Sequence, residues 1–169
     1  PADETAWRDA IAARARPPGT TTALATLLQA QQRARGAPAA AVAAAERLDD
    51  PRSVAVVTGQ QAGLFGGPLY TLLKAISAIR LARQVERNHG VPAIAVFWID
   101  AEDHDLDEIR SCSVLDGDLQ LERISLPVSA ATGTPAAAVR LGDTIGGVFD
   151  ALAATLVHSD FTAALLTDL

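Results

Sequence analysis

The sequence predicts an α/β fold of the Rossmann-like kind, with a parallel sheet, an N-terminal helical segment and a β-hairpin extension. Three observations predict it. Residues 54–57 (VAVV) and 93–99 (AIAVFWI) are short, continuously apolar runs, the pattern of strands buried on both faces. Between them, apolar residues recur at helical spacing, so the three segments form a βαβ unit with parallel strands and a right-handed crossover. Beyond them, residues 111–115 and 119–126 alternate around Asp116-Gly117-Asp118, a strong hairpin signal.

In order, residues 3–16 have helical composition and stop at Pro17-Pro18-Gly19. Residues 20–35 come next, with Thr20, Thr21 and Thr22 offering capping hydroxyls and Leu24, Leu27 and Leu28 at helical spacing. Residues 38–48 make a third, alanine-dominated helix. Pro68 suits the first position of the crossover helix. On that helix Leu69, Leu72, Leu73, Ile76, Ile79 and Val85 are expected to form the core face, with Arg80, Arg83, Glu86 and Arg87 mostly opposite. Gly90 and Pro92 end it. After the hairpin, residues 128–135 read as loop, 137–141 as a short strand, 144–157 as a helix and 160–168 as the start of another.

Composition narrows the function classes. Hydrophobic residues make up 49% of the chain, enough for a core, and aromatics only 4%, which points to close helical packing. A net charge of −6 gives no general attraction to nucleic acid or anionic lipid, so neither is an expected partner. The single cysteine, Cys112, excludes an internal disulfide and suits a reducing, cytoplasmic setting. It sits in an alternating stretch and reads as a structural thiol. No apolar run approaches the ~20 residues a membrane helix needs, and no signal-peptide pattern is present. The chain has no methionine and ends on TAALLTDL without a turn signal, so it is expected to be a fragment. The expected organisation is one partial domain: helices over 1–50, the βαβ core and hairpin over 51–142, and the start of a helical region over 143–169.

Two polar clusters carry the chemistry. The first, residues 58–68 (TGQQAGLFGGP), links a strand's carboxyl end to a helix N-terminus, where backbone N–H groups and the helix dipole favour a ligand's negative charge. Four glycines allow positive φ and close approach, and Thr58, Gln60 and Gln61 add neutral donors and acceptors. No lysine follows the glycines as a Walker A loop requires, and GxGxxG is absent. Thr58, Gly59 and Gly63 match a TGxxxGxG dehydrogenase pattern, but Phe65 replaces its third glycine. Tyr70 and Lys74 form a YxxxK pair too close to the loop for that family, and this spacing reads as coincidence.

The second cluster, Asp100, Glu102, Asp103, His104 and Asp105, comes directly after the second strand. Continued in extended form, it would turn Asp100, Glu102 and His104 one way and Asp103 and Asp105 the other. Parallel neighbours put it on the same sheet edge as the glycine turn, the crevice where such folds bind ligands. Three jobs suit it: proton transfer or phosphate contact by His104, binding of an ammonium group by the carboxylates, or Mg²⁺ held with substrate phosphates. One histidine without a nearby cysteine makes a poor zinc site, and no residue is assigned as a metal ligand. His89 and His158 read as structural or exposed.

Together, TGQQAGLFGGPLYTLLKAISAIRLA and VFWIDAEDHDLDEI closely resemble the bacillithiol biosynthesis cysteine-adding enzymes, a family of cysteine ligases. The resemblance is dense over residues 54–109. It implies a Rossmann-like core of the nucleotidyltransferase and class I synthetase kind, with helical insertions and a C-terminal coiled coil beyond this chain. It implies addition of cysteine to glucosaminyl malate, the last step in making bacillithiol. The family pattern carries over at Thr58, Gly59, Gln60, Gln61, Gly63, Phe65, Gly66, Gly67, Pro68 and Tyr70, and at Glu102, Asp103, His104 and Asp105. The expected roles are catalysis for His104, Asp103 and Glu102, and substrate or nucleotide binding for the loop residues, Asp100 and Asp105. ATP is the natural activating co-substrate, with Mg²⁺ as its companion. A homodimer is open for the longer protein. The competing readings are an NAD(P)-dependent oxidoreductase and a non-catalytic binding or assembly module.

Overall fold

The computed structural model describes residues 3–14, 16–131 and 133–169. Ala15, in the first predicted helix, and Thr132, in the predicted loop, lie outside the described residues. Among the described residues, seven helices and four strands occur in order: α1 (Glu4–Ala12), α2 (Thr22–Ala34), α3 (Ala39–Glu46), β1 (Val54–Gln61), α4 (Leu69–His89), β2 (Ala93–Asp100), α5 (Leu106–Ile109), β3 (Ser111–Leu115), β4 (Leu121–Ser125), α6 (Ile145–Thr155) and α7 (Thr162–Asp168). Short 3₁₀ turns lie at Arg47–Asp49, Leu64–Gly66 and Ala136–Ala138. β1 pairs with β2, and β3 with β4. The first pair is parallel: Val54 N–H donates to Pro92 C=O at 2.9 Å and Ala62 N–H to Asp100 C=O at 3.5 Å, with the same sequence offset at both ends. The chain is α/β and Rossmann-like, as the sequence predicts.

The chain divides into two compact units. The first comprises Pro1–Gly59 and Leu73–Trp98, the second Gln60–Leu72 and Ile99–Leu169. In the first, strand alternation sends neighbouring residues to opposite faces. Val54, Val56, Ala93 and Ala95 pack with Ala82 and Val85 of α4 and with Trp7 and Ile11 of α1. Ile94 and Val96 pack with Ala25, Leu28, Ala44 and Leu48 of the α2–α3 region. β2 is therefore covered on both faces at its start. β1 is not, because Ala55 and Val57 are exposed, Val57 to 64%. That corrects the expectation of two strands buried on both faces: in β1 only the α4 side is covered.

Of the core face predicted for the crossover helix, only Val85 is buried. The helix's buried residues are Ala78, Ala82 and Val85, whereas Leu69, Leu72, Leu73, Ile76 and Ile79 are exposed. Small alanine side chains let the helix axis approach the strands, and the larger residues take the outward side. The spacing of Leu73, Ile76, Arg80, Arg83 and Arg87 puts the arginines on that same outward side. On α2, likewise, Ala25 is buried while Leu24 and Leu27 are exposed.

The predicted threonine caps do other work. Thr20, Thr21 and Thr22 hydroxyls donate to Pro17 C=O, Leu48 C=O and the Asp49 carboxylate, all within 2.7 Å. Arg16 secures the same turn. Its guanidinium donates to Ser53 C=O (3.2 Å), Leu48 C=O (3.1 Å) and Ser53 Oγ (2.7 Å), and Ser53 is fully buried. Arg16→Ala is expected to cost about 2–3 kcal/mol, because it strands buried acceptors at the entrance to β1. Arg16→Lys should recover only part, since a point ammonium cannot reproduce the fork. Urea denaturation of the two variants checks the order.

In the second unit the predicted hairpin forms. Ser111 lies opposite Ser125 and Leu115 opposite Leu121, and Asp116 Oδ1 accepts the Asp118 and Gln120 N–H groups at the turn. Ile124 and Leu126 pack with Val148 and Leu152 of α6 and with Leu64 of the glycine turn. Residues 137–141 are not a strand. After Pro135 the backbone closes a 3₁₀ turn, Ala138 N–H to Pro135 C=O and Val139 N–H to Ala136 C=O, which removes the extended conformation. No described helix is long and apolar enough to cross a membrane.

Candidate functional site

Strand β1 runs four residues further than its apolar core predicts. Thr58, Gly59, Gln60 and Gln61 are strand, and the turn proper is confined to the residues between Gln61 and Leu69. Extension suits Gly59, because a Cβ there would lie 2.5 Å from Trp98 C=O of the neighbouring strand. Lys74 Nζ donates to Gly59 C=O at 3.2 Å, which gives the lysine of the YxxxK pair a structural contact. Thr58 is half-buried in the same strand.

Within the second unit, strand register places the polar residues. Gln61 and the glycine turn leave β1 where Asp100 ends β2, so the two polar clusters share one sheet edge. Gln61 makes the connection. Its Nε2 donates to Asp103 Oδ2 at 2.7 Å and to Glu108 Oε2 at 3.2 Å, while its Oε1 accepts from Gln60 Nε2 at 3.0 Å. Asp103 is fixed from a second side by the Asp105 N–H at 2.9 Å. That bond and then the Gln61 amide, each larger than the opposing effect of burial, hold the Asp103 pKa below the ordinary aspartate value, with weaker help from the His104 N–H and charge. Since the folded value is the lower one, Asp103 stabilises the fold above the unfolded carboxylate pKa, and that contribution fades as pH falls through the folded value.

The acidic stretch does not continue as a strand. β2 ends at Asp100, and a helical turn begins after Asp105, whose Oδ1 accepts the Glu108 N–H at 3.2 Å as an N-cap. The alternation expected for Asp100, Glu102 and His104 on one side is thereby lost. The backbone is instead pinned by the 3₁₀ turn, with Ala137 N–H donating to Ala101 C=O (2.9 Å) and Ala136 N–H to Asp103 C=O (2.8 Å). Asp100, Glu102, His104 and Asp105 are exposed.

The glycine turn is built differently from an open anion cradle. Gly66 N–H donates to Gly63 C=O and Gly67 N–H to Leu64 C=O, both at 3.1 Å, so these two donors face the loop itself. Of the four glycines only Gly66 (φ +84°) and Gly67 (φ +79°, ψ −163°) use the left-handed half of φ/ψ space. Gly63 instead allows close approach, a Cβ there lying 2.9 Å from Gly67 Cα. Phe65 also has positive φ (53°); it packs against the apolar core, and its ring meets Phe149 edge-on at 5.2 Å. The side chain thus anchors the turn. A cleft of about 700 Å³ opens beside it, lined by Gln60, Gln61, Tyr70, Glu108 and Cys112 among others. Burial pushes the Cys112 thiol pKa up, as befits a packing residue.

Gln61, Asp103 and Glu108 therefore meet at one point, with His104 next to Asp103 in the chain. Acceptor carboxylates and a neutral amide suit a cation such as an ammonium group. Among the described residues, no three His, Cys, Asp or Glu side chains converge as metal ligands. Glu108 is the site residue that sequence reasoning missed. Its signal was the Asp105-Leu106-Asp107-Glu108 spacing, an Asp followed three residues later by Glu, which marks a helix start; here the Asp105 N–H goes to Asp103 instead, and the Glu108 carboxylate accepts from Gln61.

Comparison with known proteins gives a consistent picture. The family model described as "Bacillithiol biosynthesis BshC, N-terminal Rossmann-like domain" matches residues 1–169. A relative from Salinibacter ruber, named "Putative cysteine ligase BshC", is 39% identical over 166 residues, covering 95% of this chain and 29% of the relative. A relative of the same name from Koribacter versatilis is 43% identical over 128 residues, 76% of this chain and 24% of the relative. One from Halalkalibacterium halodurans is 59% identical over 69 residues, 41% of this chain and 13% of the relative. The matched parts thus span under a third of each of these relatives.

Proposed function

The chain belongs to the bacillithiol biosynthesis BshC family through its N-terminal Rossmann-like domain, and from that premise we propose that it serves a cysteine ligase by receiving a substrate amine beside Gln61. The reaction joins the carboxylate of L-cysteine to the amine of glucosaminyl malate, the last step in making bacillithiol. The observation that carries this reading is the Gln61 bridge, which holds two carboxylates at the sheet edge where Rossmann-like folds bind ligands. The names of the relatives support it as ligase chemistry.

A carboxylate resists nucleophilic attack, and ATP with Mg²⁺ supplies its activation in this proposal. The site beside Gln61 fits a cation, so the phosphates are not placed there. The residues of this chain act on the amine. Asp103 and Glu108 accept N–H bonds from the ammonium form and orient its nitrogen. The ammonium first gives up one proton to solvent, which frees the nitrogen lone pair; as the C–N bond then forms, the activating group leaves with its electron pair, and the second proton passes to His104 as general base. Incubation of the full-length enzyme with cysteine, glucosaminyl malate and ATP should yield a product of the mass of bacillithiol. It should require all three components. No product from a folded full-length enzyme would overturn the assignment.

A further inference from the structure

The amide of glutamine has two N–H groups and one carbonyl oxygen, and in Gln61 all three are engaged. One hydrogen goes to Asp103, the other to Glu108, and the oxygen accepts from Gln60. A substrate could take a Gln61 hydrogen only by releasing a carboxylate. Gln61 also sits on a strand, a rigid support, whereas Asp103 sits on a segment without regular structure and Glu108 on a four-residue helix. The direction of control is therefore from the strand to the two acids.

We propose that Gln61 is a positioning residue, not a substrate contact: it fixes Asp103 and recruits Glu108 so that together they receive one primary ammonium group. This deepens the functional reading above and rests on it for the identity of the amine. A shared amide places the two carboxylate oxygens within about 6 Å of each other, the range in which like charges disfavour each other's ionisation. The bridging hydrogens offset that repulsion, and an ammonium between the acids would offset it further. The other charged group acting on Asp103 is His104 of its own segment, and Asp105 acts on it through its backbone N–H.

The two contacts predict opposite signs. Gln61→Met removes both donors at similar volume, so the Asp103 titration midpoint, read by carboxyl-carbon NMR on this chain, should move up toward the ordinary aspartate value. Glu108→Gln removes a neighbouring negative charge, so the same midpoint should move down. Unchanged amide spectra of the β3–β4 hairpin show that each variant is folded; if Gln61→Met fails that check, Gln61→Leu takes its place. In the full-length enzyme, Gln61→Met should raise KM for the amine substrate about tenfold or more with a smaller change in kcat. A fixed Asp103 midpoint in a folded variant without the amide overturns the positioning role, whatever reaction the enzyme performs. A midpoint that moves as stated, in a protein without cysteine-adding activity, supports the positioning role and overturns only the ligase reading.

Discussion

A Gly59→Ala variant is expected to lose about 3 kcal/mol of stability, at the upper end of what overpacking costs. Gly59 lies in β1, and a Cβ at that position would stand 2.5 Å from Trp98 C=O and 3.0 Å from Trp98 Cβ of β2. The obstacle is backbone of the paired strand, so no rotamer change relieves it, and the ladder must open. Gly66 provides the control. Its φ of +84° disfavours a side chain, but no heavy atom lies within 4 Å of a Cβ there. Gly66→Ala should therefore cost only the conformational penalty, about 1–2 kcal/mol. Urea denaturation of both variants separates the causes. Equal losses would mean that strand spacing adjusts around residue 59 and that its glycine is not needed for close approach.

The contrast shows why the glycine-rich turn was only half legible in the sequence. Four glycines in nine residues signalled unusual backbone, but one letter stands for two requirements, positive φ and close approach. Only the fold assigns Gly66 and Gly67 to the first and Gly59 and Gly63 to the second. The βαβ unit was legible because its two apolar runs are short and strongly bounded, and the hairpin because Asp116-Gly117-Asp118 separates two alternating runs. The outward face of α4 was not. Hydrophobic periodicity locates a stripe of large residues, yet close packing against the strands selected Ala78 and Ala82 instead.

The candidate site showed the same division. Its two clusters stand on one sheet edge because parallel strands end together, a consequence the sequence already carries. The partnership of Gln61 with Glu108 spans 47 residues and needs β1 to continue to Gln61, which the apolar run ending at Val57 does not announce. Asp105 likewise reads as one more acid in a burst, and only the helical turn after it makes it a cap.

His104→Ala in the full-length enzyme is expected to lower kcat by roughly 10²–10⁴-fold, the range for loss of a general acid or base. Histidine is the residue type that exchanges protons near neutral pH, and in this chain its backbone is held next to the Asp103 carboxylate while its ring is exposed. The role requires a proton taken from the amine as the C–N bond forms, so kcat should fall far more than KM rises. Added imidazole should restore part of the rate. Asp105→Ala separates this effect from damage to the segment: it removes the α5 cap, and about 1 kcal/mol of stability should go with it. If folded His104→Ala instead keeps its kcat and shows only a raised KM, the histidine binds substrate without moving its proton. The base would then have to lie elsewhere in the enzyme, and this domain's part would reduce to holding the amine between Asp103 and Glu108.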